Sequence, residues 1–133
     1  MSFDVAAIIQ ARNGSTRLPG KVMRQINGRP IISYVVERVR TAKLLDDVIV
    51  ATTSDPIDDA MAAFLTSRGV KVFRGSSLDV LDRYYRAALQ FGLKNIVRIT
   101  ADCPLMDGVM IDRVVGKFLE GGYDYGCNVL ERT

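Results

Sequence analysis

The sequence predicts an α/β protein with a mostly parallel sheet covered by helices on both faces. Four short apolar runs of the kind found in buried parallel strands alternate with amphipathic segments of about ten to fifteen residues. This alternation is typical of right-handed βαβ crossovers. At 133 residues and 48% hydrophobic, the chain has enough apolar material for one core. We therefore expect residues 1–133 to form a single domain.

The strands are predicted from the apolar runs and from the polar residues that end them. The first run, 4–10, is continuously apolar in its centre, and the second, 47–53, has the same character. A shorter third strand is expected at 70–73 and a fourth at 95–100. Residues 123–129 are consistent with the start of another strand.

Four helices are predicted from apolar residues at helical spacing, each between start and stop signals. Proline and short polar side chains mark the starts, and glycine marks three of the stops. The starts are Pro30, Asp55 with Pro56, Ser77 or Asp79, and Asp107; the stops are Gly69, Gly92 and Gly121. The inward residues are expected to be Ile57, Met61, Phe64 and Leu65 on the second helix and Leu81, Tyr84, Tyr85 and Ala88 on the third.

Composition excludes several kinds of site. The sequence has no histidine, which rules out a Ser-His-Asp triad, an imidazole base and a His-rich zinc site within it. Cys103 and Cys127 are expected to be buried, reduced thiols. The net charge is only +3, without a like-charge run, which argues against nucleic-acid binding. No run approaches the ~20 apolar residues of a membrane span, and we expect a cytoplasmic protein.

The stretch after the first strand carries the main functional signal. Between Ala11 and Pro30 five residues are basic and none is acidic. The same stretch contains Gly14 and Ser15, and a loop that permits close backbone approach while projecting cations suits a phosphate-rich ligand. A solvated basic turn is the simpler alternative. The basic residues are Arg12, Arg17, Lys21, Arg24 and Arg29.

Two familiar phosphate motifs are absent from this loop. Five residues separate Gly14 from Gly20, where a Walker A loop has four, and Val22 follows Lys21 in place of Ser or Thr. The two glycines are also too far apart for the dinucleotide fingerprint. The usual P-loop and NAD-type explanations therefore do not apply.

Polar groups follow the other predicted strands as well. In parallel α/β sheets ligands bind beyond the carboxyl ends of the strands, so residues 52–54, residues 74–76 and Asp102 should share one edge with the basic loop. Asp102 can hold Mg²⁺ together with water and phosphate oxygens, although an aspartate at a strand end is more often a turn former. Residues 74–77 and Asp79 suit base or ribose contacts, or a plain turn into a helix cap.

Four motifs carry a resemblance to a known family. They are IQAR…STRLPGK at 9–21, VATT at 50–53, FRGS…DVLDRY at 73–84 and RITADCPL at 98–105. In this order they resemble the cytidylyltransferases that make CMP-activated acidic sugars, and the chain looks closest to the spore coat polysaccharide biosynthesis protein F branch. The resemblance implies a three-layer Rossmann-like nucleotidyltransferase fold. It also implies attack of a sugar hydroxyl on the α-phosphate of CTP, with Mg²⁺ as cofactor and pyrophosphate as product.

The resemblance further implies residue roles. Arg12 and Lys21 would be the catalytic cations that hold the triphosphate, with Lys21 nearest the α-phosphate. Ser15 and Arg17 would steady the β and γ groups, and Asp102 would bind the catalytic Mg²⁺. The nucleotide-binding residues would be Ala11, Arg12, Gly14, Ser15, Arg17, Lys21, Thr53, Arg74, Ser76 and Asp79.

Members of this family continue well past Thr133. We therefore expect the chain to be the N-terminal, nucleotide-binding portion of a longer cytidylyltransferase-like protein that is a homodimer at full length. Asn13 and Ala101 depart mildly from the family pattern, where methionine and glycine are expected. Two alternatives stay open, a nucleotidyltransferase with another base or acceptor and a catalytically silent nucleotide-binding module. The acceptor sugar cannot be identified from these residues.

Overall fold

The computed structural model describes residues 5–14, 20–101 and 107–121, which contain six strands and four helices. The strands are β1 (Val5–Gln10), β2 (Gln25–Ile26), β3 (Arg29–Pro30), β4 (Asp47–Thr53), β5 (Lys71–Gly75) and β6 (Asn95–Thr100). The helices are α1 (Ile31–Arg40), α2 (Asp59–Ser67), α3 (Val80–Phe91) and α4 (Gly108–Gly121). The predicted strand at 123–129 lies outside the described residues.

Four strands form one parallel sheet in the order β5-β4-β1-β6. Every pairing in it is parallel, and β1 is bordered on both sides, so that Ile9 lies between Val50 of β4 and Ile99 of β6. The predicted α/β class and parallel sheet are confirmed. Because all four strands run the same way, the segments that leave them meet at one edge of the sheet.

Helices cover both faces of this sheet. Apolar residues of α1, α2 and α4 pack with one face of β1 and β4 into the larger core, which includes Val35, Leu65 and Ile111. On the opposite face α3 packs Tyr84 and Ala87 against β1 and β4 in a smaller cluster. The structure is therefore three layers deep, as the sequence indicates. Within the described residues no helix is both long enough and apolar enough to cross a membrane.

The prediction for the second helix is wrong at its start. A 3₁₀ turn, Pro56–Asp58, precedes α2, which begins at Asp59. Ile57 is therefore turned outward and is 55% exposed, whereas Asp58 is buried. The proline signal marks the turn correctly, but the tighter 3₁₀ winding rotates the residues that follow.

The prediction for the buried face of the third helix is also partly wrong. Tyr84 is buried as expected, but Leu81 and Tyr85 are 72% and 60% exposed. Arg83 takes their place and is fully buried. The apolar spacing misled the prediction because a charged side chain occupies part of the inward face. The helix ends are as predicted, with Asp79 as N-cap and Gly92 in the left-handed conformation at the C-cap.

A short hairpin that the sequence analysis did not identify precedes α1. Strands β2 and β3 pair antiparallel, and Asn27 and Gly28 between them both have positive φ. Asn-Gly at two such positions is the residue pair that favours a tight hairpin turn. Arg29 beyond the turn donates to Ser33 at 3.2 Å, pairs with Glu37, and lies 4.5 Å from the Tyr34 ring centroid. These contacts hold the Arg29 side chain against the surface of α1.

Candidate functional site

The segment leaving β1 forms a loop that is closed at its base. The Ala11 amide donates to the Ala51 carbonyl at 3.1 Å, which extends the pairing of β1 with β4 beyond the last strand residue. The Gly20 amide then donates to the Asn13 carbonyl at 2.9 Å, with Gly20 at a φ of 74°. This bond closes the loop at its base. Arg12, which is exposed, lies just before Asn13, and Lys21, which is half-buried, lies just after Gly20. Both cations belong to the segment that leaves the carboxyl end of β1, where the sequence predicts phosphate binding.

Asp58 joins this loop to the end of β4. Its Oδ1 accepts a 2.7 Å hydrogen bond from the buried Asn13 amide, and its Oδ2 accepts a short hydrogen bond from the Thr53 hydroxyl. Asn13 Nδ2 also donates to the Ile57 carbonyl at 3.3 Å, and a Cβ on Gly14 would lie 4.0 Å from the Ile57 side chain. Both oxygens of one buried carboxylate thus hold the root of the basic loop. No signal in the sequence distinguishes Asp58 from its acidic neighbours.

Arg74, a predicted nucleotide contact, is bound to the segment after β4. Its Nε donates to the Thr53 carbonyl at 2.8 Å and one terminal nitrogen donates to the Asp55 carbonyl at 2.9 Å. The same nitrogen lies 2.7 Å from the Asp59 carboxylate. These bonds hold the Arg74 guanidinium beside Thr53 at the carboxyl edge, with about a third of the side chain exposed.

Ser76 and Asp79 form the turn between β5 and α3. The Ser76 hydroxyl accepts from the amides of Leu78 at 3.2 Å and Asp79 at 3.1 Å. The Asp79 carboxylate accepts from the Asp82 amide at 2.9 Å, which is the N-cap interaction that the sequence predicts. These polar groups stabilise a turn and a helix start, and they also lie next to the carboxyl edge of the sheet.

Four buried side-chain atoms in the described part of the chain have no hydrogen-bond partner, and all belong to residues of this edge. They are Oδ1 of Asn13, Oγ1 of Thr52, and Nε and Nη2 of Arg83. Arg83 reaches the edge because its Nη1 donates to the Ser76 carbonyl at 2.9 Å. Burial lowers the pKa of Arg83, and the nearby Arg12 lowers it further. Unpartnered buried polar atoms are rare and costly, and their concentration here makes this edge the candidate binding site.

Three predicted residues, Ser15, Arg17 and Asp102, lie outside the described residues. The last described residue before Asp102 is Ala101, whose amide donates to the Gln10 carbonyl at 3.0 Å. The chain therefore leaves β6 beside the start of the basic loop. Elsewhere along the described ranges no cluster of three or more Asp, Glu, His or Cys residues is suited to a metal ion.

A parallel α/β sheet with a closed basic loop and unsatisfied polar groups at its carboxyl edge is typical of α/β proteins that bind phosphate-bearing ligands. The comparisons identify the family. The family model described as Cytidylyltransferase matches residues 6–131. The chain belongs to the cytidylyltransferase family, which confirms the prediction from its motifs.

Proteins of similar sequence support membership of the cytidylyltransferase family. The chain is 37% identical over 126 residues to the spore coat polysaccharide biosynthesis protein SpsF of Bacillus subtilis, covering 92% of this chain and 52% of that protein. It is 37% identical over 133 residues to an 8-amino-3,8-dideoxy-manno-octulosonate cytidylyltransferase of Shewanella piezotolerans, covering 96% and 53%. The chain spans about half the length of the curated relatives it matches.

Solved structures match the fold closely. A cytidylyltransferase from Leptospira borgpetersenii superimposes with a TM-score of 0.84 at 42% identity, over 89% of this chain and 50% of that one. A CMP:2-keto-3-deoxy-manno-octonic acid synthetase, complexed with CTP, superimposes with a TM-score of 0.75 at 26% identity, over 89% and 48%. The predicted nucleotidyltransferase fold is thereby confirmed.

Proposed function

We propose that this chain binds CTP at the carboxyl edge of its sheet and transfers CMP to a sugar in the synthesis of a surface polysaccharide. The observation that carries the proposal is the closed basic loop between Asn13 and Gly20, set beside unpartnered buried groups in a chain of the cytidylyltransferase family. The relatives named as spore coat and octulosonate proteins support the sugar acceptor.

The proposed reaction is a nucleotidyl transfer. A sugar hydroxyl oxygen forms a bond to the α-phosphorus of CTP, the bond from that phosphorus to the bridging oxygen breaks, and pyrophosphate leaves while the hydroxyl proton is lost. Such transfer depends on positioning and on neutralising charge more than on a covalent nucleophile. The chain suits this demand because it offers cations at the loop base and has no histidine.

In this proposal Arg12 and Lys21 bind the triphosphate from the two sides of the closed loop, and Lys21 acts nearest the α-phosphate. Ser15 and Arg17 would contact the β and γ groups. Asp102 would hold a divalent cation, for which we propose Mg²⁺, and that ion supplies charge neutralisation when bound. The proposed contacts of the cytidine are Ala11, Gly14, Thr53, Arg74, Ser76 and Asp79.

The whole protein is proposed to be a cytoplasmic homodimer, on the strength of its family resemblance and its nucleotide substrate. Light scattering after gel filtration tests the oligomeric state. A mass of one chain at micromolar concentration would contradict the dimer.

The experiment that tests the function measures nucleotide binding by calorimetry and pyrophosphate release with each of CTP, UTP, GTP and ATP. A panel of acidic sugars is added or left out, and the named Shewanella cytidylyltransferase serves as the positive control. We expect CTP to bind and an acidic sugar to trigger pyrophosphate release. Release with UTP or GTP but not CTP would overturn the cytidylyl assignment, and binding without release would favour a catalytically silent module.

The role of the loop cations is tested by Lys21→Ala, with Arg24→Ala as the matched control. Both residues belong to the same basic stretch, but Arg24 is exposed after the 3₁₀ turn that Lys21 opens. Loss of a cation at the reacting phosphate should lower turnover by about 10²- to 10³-fold or more. Arg24→Ala should keep near-normal turnover. Equal rates in the two variants would contradict the role given to Lys21.

A further inference from the structure

Arg83 is the buried cation at this edge to which the nucleotide site described above gives no role. Its side chain is fully buried, and its Nη1 donates to the Ser76 carbonyl at 2.9 Å. Its other two nitrogens, Nε and Nη2, are buried without a hydrogen-bond partner. A protein rarely buries two unsatisfied donors of one side chain, so the arrangement needs an explanation beyond packing.

The two unpartnered atoms lie on the same edge of the guanidinium plane. The N–H groups of Nε and Nη2 point in parallel and form the fork that arginine uses to bind two oxygens at once. The bond from Nη1 to Ser76 fixes the plane of the guanidinium from the opposite side. The two unpartnered donors are therefore held in one orientation before any ligand binds. This reduces the conformational entropy that is lost on binding.

The charge around this fork favours an anion. Burial lowers the pKa of Arg83, and repulsion from the nearby Arg12 guanidinium lowers it further. Asp58 opposes this effect, but its two oxygens already accept bonds from Asn13 and Thr53. A buried cation without a bonded counter-charge is costly, and neutral acceptors on a base would satisfy the donors without removing that cost.

We propose that Arg83 binds a phosphate group of the nucleotide, with Nε and Nη2 each donating to one phosphate oxygen while Arg12 faces the same anion. The proposal rests on the proposed function and adds to it a phosphate contact from α3, outside the basic loop. Because the Arg83 side chain is fully buried in this structure, the proposal requires a local displacement that uncovers the fork when the nucleotide binds.

The test compares Arg83→Met and Arg83→Lys with the control Arg86→Met on the same helix. Arg86 is exposed and pairs with Asp82 one turn away. Calorimetry measures binding of CTP, CMP, inorganic tripolyphosphate and cytidine. We expect Arg83→Met to weaken binding of the three phosphate-bearing ligands by about 10- to 100-fold, the usual value of a charge-assisted pair. Cytidine binding should not change, and the control should bind all four as the unmodified chain does.

The melting temperature separates a ligand role from a structural one. Arg83→Met removes an unpaired buried charge at similar volume, so the ligand-free variant should melt at the same or a higher temperature. A lower melting temperature with unchanged affinity for CTP would overturn the proposal. If Arg83→Met fails to fold, Arg83→Lys keeps the charge but loses the fork, and it should still weaken phosphate binding.

Two further outcomes are decisive. An equal loss of cytidine and CTP binding in the Arg83 variants would show that the fork contacts the base, which would overturn the phosphate assignment. Failure of the proposed function has a different signature, in which the unmodified chain binds GTP or tripolyphosphate and shows no preference for CTP. In that case the Arg83→Met variant still loses phosphate binding if the inference about Arg83 is correct.

Discussion

Replacing Asp58 by alanine tests how the basic loop is held to the sheet. The Asp58 carboxylate is buried and accepts hydrogen bonds from the Asn13 amide and the Thr53 hydroxyl. Alanine leaves both donors without an acceptor, and each unsatisfied buried donor costs about 1–3 kcal/mol. We expect the free energy of unfolding to fall by about 2–6 kcal/mol in total, with CTP affinity falling too because Asn13 adjoins Arg12.

Urea denaturation monitored by circular dichroism measures this effect. In a separate thermal melt the variant should show a melting temperature lower by about 7–20 °C for a chain of this size. Asp58→Asn keeps one acceptor for the Asn13 amide and one donor for the Thr53 oxygen, so its cost should be about 1 kcal/mol. Asp59→Ala, which removes the exposed partner of Arg74, should cost less than about 1 kcal/mol. Equal stabilities of the Asp58→Ala and Asp59→Ala variants would refute the reasoning.

Two other predictions concern α4 and α3. A Cβ on Gly108 would lie 2.8 Å from the Ala42 amide nitrogen, so Gly108→Ala should lower the free energy of unfolding by about 2 kcal/mol or more in urea melts. A Cβ on Gly116 would make only an ordinary contact, 3.8 Å from the Leu44 side chain, so Gly116→Ala should raise the free energy of unfolding by about 0.5–1 kcal/mol. A Gly108→Ala variant more stable than Gly116→Ala would contradict this packing. Burial raises the pKa of the Tyr84 phenol, so the folded chain holds that proton more tightly and stability falls as the pH rises above about 10. Tyr84→Phe should reduce the slope of this alkaline loss, measured by urea melts across the pH range, and the exposed control Tyr85→Phe should not.

The centre of the sheet was predictable, although the edge strand β6 is partly exposed, because β1 and β4 are strands buried on both faces. Such strands are continuous apolar runs, and the observed β1, β4 and β6 lie within one residue of the predicted bounds. The errors arose where tertiary packing overrode the local pattern of apolar residues. The apolar spacing of α3 indicated Leu81 and Tyr85 as inward residues, but the buried position belongs to Arg83, whose charge is oriented to the carboxyl edge.

The candidate site was predictable as an edge but not as a set of contacts. Parallel topology places the segments after β1, β4 and β5 together whatever their side chains are, which brought Arg12, Thr53 and Arg74 to one place. The buried carboxylate of Asp58 and the fork of Arg83 could not be inferred in the same way. Asp58 is bonded to Asn13, which is distant in the chain, and Arg83 is buried because α3 packs against the sheet; spacing alone encodes neither.

The position of β1 between β4 and β6 has a consequence for folding order. The strand that leads into the basic loop gains its two neighbours only from much later parts of the chain, through parallel crossovers. Contacts of such high sequence separation form slowly, because the entropy of closing a long loop must be overcome first. During synthesis from the N-terminus, the ribosome therefore releases the loop first, while its supporting sheet is completed only when β6 emerges. The proposed nucleotide site is thus completed late, as a property of the assembled sheet.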